Sequence, residues 1–225
     1  MGGREPVIAI DGPVGAGKST VARRLAERLG YELIPTGSMY RALALSAIRA
    51  GLAPDDLEGL RRHLAPLTVT VVRGRILLDD EDVTDVLHSP ALGQATSALS
   101  TLAFVRDKVT PWQRREAATG GVVLEGRDTG TVVCPDAEVK FFLTASLESR
   151  ARRRRAELAA QGVAVTLEDV IEEVRARDRQ DSTRTLAPLR RAPDAIEVDT
   201  TDLPIEDVVA RMALMVEERR CSTRR

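Results

Sequence analysis

The chain has few cysteines and no long hydrophobic run. Its two cysteines, Cys134 and Cys221, are far apart and have no histidine near them, so a disulfide framework or a zinc site is not expected. No stretch approaches the length that crosses a bilayer, and the short polar start, residues 1–7, leaves no room for a signal peptide. These absences predict a cytoplasmic protein in a reducing compartment, without membrane attachment.

Lysine is also scarce, and the charges nearly cancel. Only three of the 33 basic residues are lysines, and the formal net charge is −1, which argues against a protein that mainly coats nucleic acid. The abundance of arginine has two possible explanations: a codon bias of the genome, or a need for guanidinium groups that bind phosphate bidentately. At 225 residues and 43% hydrophobic content, the chain suits one α/β domain with a real core.

Apolar runs alternate with helical periodicity along most of the chain. A continuous apolar run predicts a buried strand at 7–10, and mostly apolar segments predict further strands at 31–34, 121–125, 139–143 and 195–198. Between and after them, apolar residues at helical spacing, with capping residues such as Thr166, predict helices. This order predicts an α/β fold: a parallel sheet of the P-loop NTPase type with helices on both faces.

One segment departs from that alternation. Residues 67–72 and 75–78 are β-rich and flank Arg73-Gly74, which predicts a hairpin. Helical segments follow, from about Pro90 to Ala118. A hairpin inside an alternating chain indicates an inserted subdomain.

The most specific local motif comes directly after the first strand. Gly12-x-x-x-x-Gly17-Lys18-Ser19 matches the Walker A pattern. Glycines let backbone N–H groups converge on phosphate oxygens, and the following helix adds its positive N-terminal end. Lys18 is then expected to reach the β- and γ-phosphates, and the Ser19 hydroxyl to bind Mg²⁺. The loop predicts a nucleoside triphosphate but does not name the reaction.

Three kinds of P-loop protein remain possible at this point: a small-molecule kinase, an NTP-driven switch or motor, and a non-catalytic binding module. The chain has no Asn-Lys-x-Asp element of a GTPase and no Leu-Ser-Gly-Gly-Gln element of a transporter ATPase. It has instead several clusters that contain arginine, as a second anionic substrate requires. They are residues 36–41, 125–131, 150–155 and 177–184.

Each cluster also has a simpler explanation. Arg41 could be a solvated helix residue, Asp128 could cap a helix, and Arg177 with Asp181 could be a surface ion pair at i, i+4. The run 150–155 could be a solvated helix face. None of these clusters carries a functional assignment by itself.

Their order along the chain does carry one. Ile-Asp-Gly-Pro-x-Gly-x-Gly-Lys-Ser is followed by Gly37-Ser38-Met39-Tyr40-Arg41, by Gly126-Arg127-Asp128-x-Gly-Thr and by Arg177-Asp178-x-x-Asp181-Ser182-x-Arg184. In this order, and over essentially its whole length, the chain resembles the bacterial cytidylate kinases. That resemblance implies transfer of phosphate from ATP to CMP or dCMP, giving ADP and CDP or dCDP.

The resemblance also implies roles for individual residues. The ATP-binding positions are Gly12, Pro13, Val14, Gly15, Ala16, Gly17, Lys18, Ser19, Thr20, Arg153 and Arg154, and Ser19 binds Mg²⁺ with waters. The CMP-binding positions are Thr36, Arg41, Ser97, Arg106, Arg127, Asp128, Arg177, Asp181 and Arg184. The catalytic group is Lys18, Arg127, Asp128 and Arg177. Ser38 falls beside the CMP site, and Asp181 is the expected partner of ribose hydroxyls.

The implied organisation is a single kinase domain. Its core comprises residues 1–37, 119–149 and 180–225; the monophosphate-binding region with its insertion is about 38–118, and a mobile lid is about 150–166. The expected partners are ATP and CMP or dCMP, with Mg²⁺, no nucleic acid and no membrane, in a monomer. In two places the chain departs from the family pattern: Pro35 stands where the family often has Asp, and Glu125 where Asp is also common.

Overall fold

The computed structural model describes residues 4–72, 74–89 and 91–223, and it divides the chain into two compact units. The first unit is Met1–Leu33 with Gly120–Arg225, and the second is Ile34–Thr119. Arg73 and Pro90, at which a turn and the start of a helical region were predicted, lie outside the described residues. The side chain of Cys221 is not described either, whereas Cys134 is buried and forms no disulfide with another described residue.

The first unit is built on a five-stranded sheet in the order β2-β6-β1-β7-β8. Strand β1 pairs in parallel with β6 and β7, and β7 pairs in parallel with β8. The strands are β1 (Val7–Asp11), β2 (Glu32–Pro35), β6 (Val122–Glu125), β7 (Val139–Thr144) and β8 (Ile196–Asp199). The predicted P-loop-type α/β fold is confirmed.

Four α-helices lie in the described part of this unit. They are α1 (Lys18–Leu29), α6 (Leu147–Ala160), α7 (Leu167–Thr183) and α8 (Ile205–Thr223). The core joins Ile10 and Phe141 of the sheet to Leu25 of α1 and Met212 of α8, all of them almost inaccessible to water. Continuous burial of β1 explains its unbroken apolar sequence, because both faces of a central parallel strand are covered.

The second unit combines helices with a small antiparallel sheet. Its elements are α2 (Thr36–Arg49), α3 (Leu57–Leu64), β3 (Val69–Val72), β4 (Arg75–Leu78), β5 (Glu81–Asp82), a short 3₁₀ helix (Thr84–His88), α4 (Ala91–Leu99) and α5 (Ala103–Ala117). The predicted hairpin is β3-β4, and β5 adds a third strand that the sequence did not indicate. The predicted helical region after Pro90 is two helices, separated at residues 100–102.

Local capping explains several helix ends. The Asp56 side chain accepts a hydrogen bond from Gly59 N at 2.9 Å at the start of α3. Thr166 accepts from Asp169 N at 3.1 Å, as expected at the start of α7. Gly30 ends α1 in the left-handed conformation, with φ of 69°.

Among the described residues, no helix combines the length and the apolar character needed to cross a bilayer.

Stability should depend strongly on the face of α8 that meets the sheet. Met212 on that helix is fully buried, whereas Leu214, two residues later, is 59% exposed. We expect Met212→Ala to lower the free energy of unfolding by about 2–5 kcal/mol, because the substitution leaves a cavity in the core. Leu214→Ala is the matched control and should change it by less than about 0.5 kcal/mol. Urea denaturation of both variants would measure the difference, and equal losses would contradict the packing described here.

Candidate active site

The P-loop (residues 12–19) leaves β1 and enters α1 along a path that two of its glycines make possible. Gly12 has φ of 151°, and a Cβ there would lie 2.1 Å from the carbonyl oxygen of Leu143 on β7. Gly15 has φ of 75°, and a Cβ there would lie 2.7 Å from the carbonyl oxygen of Arg150. A side chain at either position would therefore meet backbone atoms, so the loop lies tightly against β7 and α6.

Lys18, the first residue of α1, is buried at the base of this loop. Its side chain is 5% exposed, and Nζ donates a hydrogen bond to the carbonyl oxygen of Pro13 at 2.7 Å. Burial lowers the pKa of Lys18 to about 7, and the positive charge of Arg127 adds to that effect. Ser19 next to it is exposed, and Thr20 is half-buried. The loop therefore holds one ammonium group that titrates near neutral pH.

Asp11, the last residue of β1, is a site residue that the sequence reasoning missed. Its Oδ1 accepts from Thr129 N and Thr129 Oγ1, both at 2.8 Å, and its Oδ2 accepts from Gly130 N at 2.7 Å. Burial raises the pKa of Asp11, and the hydrogen bonds from Gly130 and Thr129 oppose that rise. A carboxylate at the end of a buried strand was the available signal, since such groups are rarely buried without bound partners.

These hydrogen bonds fix the loop that carries Arg127 and Asp128. Thr129 begins a π-helical turn, Thr129–Val133, and it is completely buried. Backbone N–H groups of Val132 and Val133 both reach the Asp128 carbonyl oxygen, at 2.9 and 3.1 Å. Single π turns often occur at functional sites because they redirect a few side chains locally. The sequence did not predict this turn.

Five of the predicted acceptor residues form ion pairs within the first unit. Arg127 Nε donates to Asp181 Oδ2 at 2.9 Å, and Arg177 Nε lies 3.7 Å from Asp181 Oδ1. Arg184 donates to Asp128 Oδ1 at 3.3 Å. Burial lowers the pKa of Arg177, and the Nε of this residue is enclosed without a hydrogen bond. Two arginines thus share one buried carboxylate, Asp181, which is 4% exposed.

Three arginines of α6 lie in different environments. Arg150 is 7% exposed and bonded on several sides, so it is not part of a solvated face. Arg153 donates to Thr200 Oγ1 at 2.9 Å and also to the Thr200 carbonyl oxygen. Arg154 makes longer ion pairs, at 3.4 Å with Glu157 of the same helix and at 3.5 Å with Glu173 of α7. The sequence could not separate these roles, because a run of arginines carries no information on which of them is buried.

Thr200, just after β8, links Arg153 to the P-loop. Its hydroxyl lies 3.1 Å from the carbonyl oxygen of Ala16 and is oriented to donate to it. The guanidinium of Arg153 lies close to Gly17, since a Cβ on that glycine would be 3.9 Å from Arg153 NH1. Of the two predicted ATP-binding arginines, Arg153 is therefore the one placed against the loop.

Four predicted acceptor residues lie in the second unit. Arg41 on α2 donates to the Leu87 carbonyl oxygen at 3.0 Å. Arg106 on α5 is 7% exposed, donates to the Ser100 carbonyl oxygen at 3.2 Å and lies 5.8 Å from the Tyr40 ring centroid. Thr36 and Ser97 are buried.

Gln113 is a further buried polar group of this unit that the sequence reasoning did not single out. Its Nε2 donates to the Thr36 carbonyl oxygen at 3.3 Å. Its Oε1 is enclosed without a hydrogen bond. Its position within an amphipathic helix carried no signal that would have separated it from a surface glutamine.

Comparison with known proteins identifies the family to which the chain belongs. The family model described as "Cytidylate kinase" matches residues 8–218. A protein called cytidylate kinase from Geobacter sulfurreducens is 52% identical over 99% of this chain and 97% of its own length. Another of that name, from Pelotomaculum thermopropionicum, is 50% identical over 96% of this chain and 97% of its own length.

A solved structure adds support for the fold alone. Shikimate kinase from Bacteroides thetaiotaomicron superposes with a TM-score of 0.50 at 15% identity, covering 94% of this chain and 98% of that one. The match to the family model and the two relatives extend over nearly the whole chain. The buried lysine of the P-loop and the paired arginines thus belong to a chain that is a member of the cytidylate kinase family.

Proposed function

We propose that the chain transfers the γ-phosphoryl group of ATP to the phosphate of CMP or dCMP, giving ADP and CDP or dCDP. Membership in the cytidylate kinase family supports the choice of acceptor. One observation carries the reaction type: Asp11, directly before the P-loop, accepts hydrogen bonds from Thr129 and Gly130, so the loop that carries the acceptor-type Arg127 is anchored beside the donor-binding loop.

The donor assignment follows from the P-loop. Backbone N–H groups of residues 14–17 and the start of α1 provide the positive end that triphosphate oxygens require. We propose that Lys18 exchanges its hydrogen bond with the Pro13 carbonyl oxygen for phosphate oxygens. Thr20 would then lie along the nucleotide, and Arg153 or Arg154 would close over the triphosphate.

On the acceptor side, two arginines flank one carboxylate. We assign Arg127 and Arg177 to the acceptor phosphate. An anion there would offset the energetic cost of burying two guanidinium groups and of their mutual repulsion. Asp181 was expected to meet ribose hydroxyls. Both of its oxygens lie beside these arginines, so orienting them is a further role that we propose for it.

The remaining acceptor roles rest on the family resemblance. Arg184 is assigned to the base or sugar, and Asp128, with which it is paired, to the acceptor site and the catalytic group. For the second unit, the resemblance assigns Thr36, Arg41, Ser97 and Arg106 to the acceptor. In the same way we propose that about 38–118 is the monophosphate-binding region and that about 150–166, in α6 and the following turn, is a lid that excludes water.

Catalysis then needs no strong general base. The acceptor phosphate is already an anion at neutral pH, so the enzyme must align two phosphates and compensate their charge. Lys18, Arg127 and Arg177 provide positive charge, and the buried network around Asp181 holds the two arginines in place before the substrate arrives.

Magnesium fits the residues that are present. The exposed Ser19 hydroxyl at the start of α1 is a hard oxygen donor beside the phosphate-binding loop. Within the described part of the chain, no group of three or more His, Cys, Asp or Glu residues could form an all-protein metal site. Mg²⁺ in kinases is held mostly by phosphates and waters, so one protein oxygen suffices. Bound there, Mg²⁺ would neutralise phosphate charge. The presence of Mg²⁺ stays a prediction. So do a monomeric state, a cytoplasmic location and the absence of nucleic-acid and membrane binding.

The acceptor can be tested by comparing nucleotides. We expect ADP release in a coupled assay to be fastest with CMP and dCMP among the nucleoside monophosphates. Turnover with UMP or AMP far above that with CMP would remove the cytidylate assignment and leave a monophosphate kinase. A chain that binds ATP but shows no acceptor-dependent ADP release would be a binding module.

Arg127→Ala tests the acceptor phosphate site. We expect kcat/KM for CMP to fall by at least about tenfold, since a charge-assisted contact contributes about 1.5–3 kcal/mol. The control is Arg175→Ala, because Arg175 is an exposed residue of α7 paired only with Glu172 among the contacts seen. The control should keep wild-type kinetics. Unchanged kinetics of Arg127→Ala would exclude Arg127 from the site.

The lowered pKa of Lys18 predicts a proton linkage. Bound phosphate stabilises the ammonium form and raises this pKa above its free value of about 7. Below pH 7 the group is protonated before and after binding. Above pH 7, ADP binding must take up a proton, so affinity should fall as pH rises towards the pKa of the complex.

Calorimetry in buffers of different ionisation enthalpy would measure this uptake. We expect about one proton per ADP at pH 8.5 and little uptake at pH 6. In Lys18→Arg the side chain stays charged, so ADP binding to this variant should take up almost no proton. Equal uptake by both proteins at pH 8.5 would show that another group titrates.

A further inference from the structure

Arg150, at the start of the proposed lid on α6, is a buried cation for which the proposed reaction gives no role of its own. Its Nε donates to the Ala145 carbonyl oxygen at 3.0 Å. Its NH1 donates to the Val14 carbonyl oxygen at 3.1 Å and pairs with Asp178 Oδ2 at 2.7 Å. One guanidinium therefore joins three segments: the chain after β7, the P-loop and α7.

The P-loop is also packed against α6 at this residue. A Cβ on Gly15 would lie 2.7 Å from the Arg150 carbonyl oxygen and 2.9 Å from its Cβ. Val14 packs on the apolar cluster that includes Ala151 of α6 and Val174 of α7. Since both the main chain and the side chains interlock here, the P-loop cannot shift without moving α6, and Arg150 extends this constraint to α7.

The residue that Arg150 binds lies between two proposed acceptor residues on α7. Asp178 follows Arg177 directly and precedes Asp181 by less than one helical turn. Asp181 in turn binds Arg127 at 2.9 Å. A shift of α7 would therefore carry Arg177 and Asp181 with it and would alter the position of Arg127.

Asp178 is held chiefly by this arginine. Its Oδ2 pairs with Arg150, whereas its Oδ1 is enclosed without a hydrogen bond. The pair is largely buried, with the Arg150 and Asp178 side chains 9% and 27% exposed, and removing one partner of such a pair leaves an uncompensated charge that displaces the surrounding structure. Misplacement of reacting groups by about 1 Å can cost about a hundredfold in rate.

We propose that Arg150 is a positioning residue for phosphoryl transfer, whose ion pair with Asp178 sets the distance between the P-loop and the acceptor arginines. The proposal rests on the proposed function, because it assigns Arg177, Asp181 and Arg127 to the acceptor. Arg150 acts through these residues and not by contact with either nucleotide.

Asp178→Asn is the first test. The amide keeps the shape of the side chain, and Arg150 keeps its bonds to the Val14 and Ala145 carbonyl oxygens. We expect kcat/KM for CMP to fall by about ten- to a hundredfold, with KM for ATP within about threefold of the wild-type value. Wild-type values of kcat/KM for CMP in the folded variant would overturn the proposal.

An apolar replacement of the pair separates positioning from stability. Arg150→Met alone should lower Tm, because it leaves Asp178 charged and unpaired. Arg150→Met combined with Asp178→Leu should recover much of that Tm, since apolar groups can replace a buried ion pair without loss of stability. We expect the double variant to stay at least about tenfold below wild type in kcat/KM for CMP. Recovery of both Tm and kcat/KM would show a purely structural pair and overturn the proposal.

Arg152→Met is the matched control on the same helix. Arg152 is 66% exposed and pairs only with the exposed Glu148 one turn away among the contacts seen. This variant should match the wild type in Tm and in all kinetic constants. A kinetic loss equal to that of Asp178→Asn would mean that any charge change on this face acts in the same way, which would also overturn the proposal.

Failure of the proposed function would be visible before any variant is compared. A wild-type enzyme that uses another monophosphate contradicts the cytidylate assignment, and the same ratios are then measured with that acceptor. If the ratios follow the expected pattern there, the positioning role stands without CMP. A wild-type enzyme with no acceptor-dependent turnover removes both proposals.

Discussion

The buried Asp11 carboxylate is the constraint on which the site depends. It ends β1, directly before the P-loop, and it accepts three hydrogen bonds from Thr129 and Gly130 on a different segment of the chain. Burying a charge is costly unless hydrogen bonds compensate it. The loop carrying Arg127 and Asp128 must therefore stay where its N–H groups face Asp11, so the P-loop and the arginine proposed for the acceptor share one anchor.

A second constraint comes from the unusual number of guanidinium groups in the first unit. Arg127 and Arg177 both lie beside Asp181, Arg184 lies beside Asp128, and Arg150 lies beside Asp178. Each of these four arginines has a carboxylate partner, which holds like charges near one another before any nucleotide binds. Such preorganisation matters for phosphoryl transfer, because fixed positive groups stabilise charge without rearranging at the moment of reaction. Lys18, without so close a partner, is the group whose pKa is lowered to about 7.

Much of the fold could be predicted from periodicity. The unbroken apolar run of β1, the glycine loop and the helix of Val21 and Leu25 gave the first βα unit, and the family pattern gave nearly all the site candidates. The third strand β5 was not predictable, because Glu81–Asp82 is too short and too polar to show alternation. The π turn at Thr129 also escaped prediction, since its cause is a hydrogen bond to Asp11, 118 residues away.

The sequence by itself determined the fold class, the P-loop and the membership of a nucleotide kinase family, because these depend on local patterns that keep their spacing along the chain. Only the tertiary structure decided what each charged residue does. In the run 150–155, Arg150 is enclosed by the P-loop and α7, Arg152 is in solvent and Arg153 binds Thr200. Burial and charge pairing are set by segments distant in sequence, so identical residues a few positions apart acquire different roles.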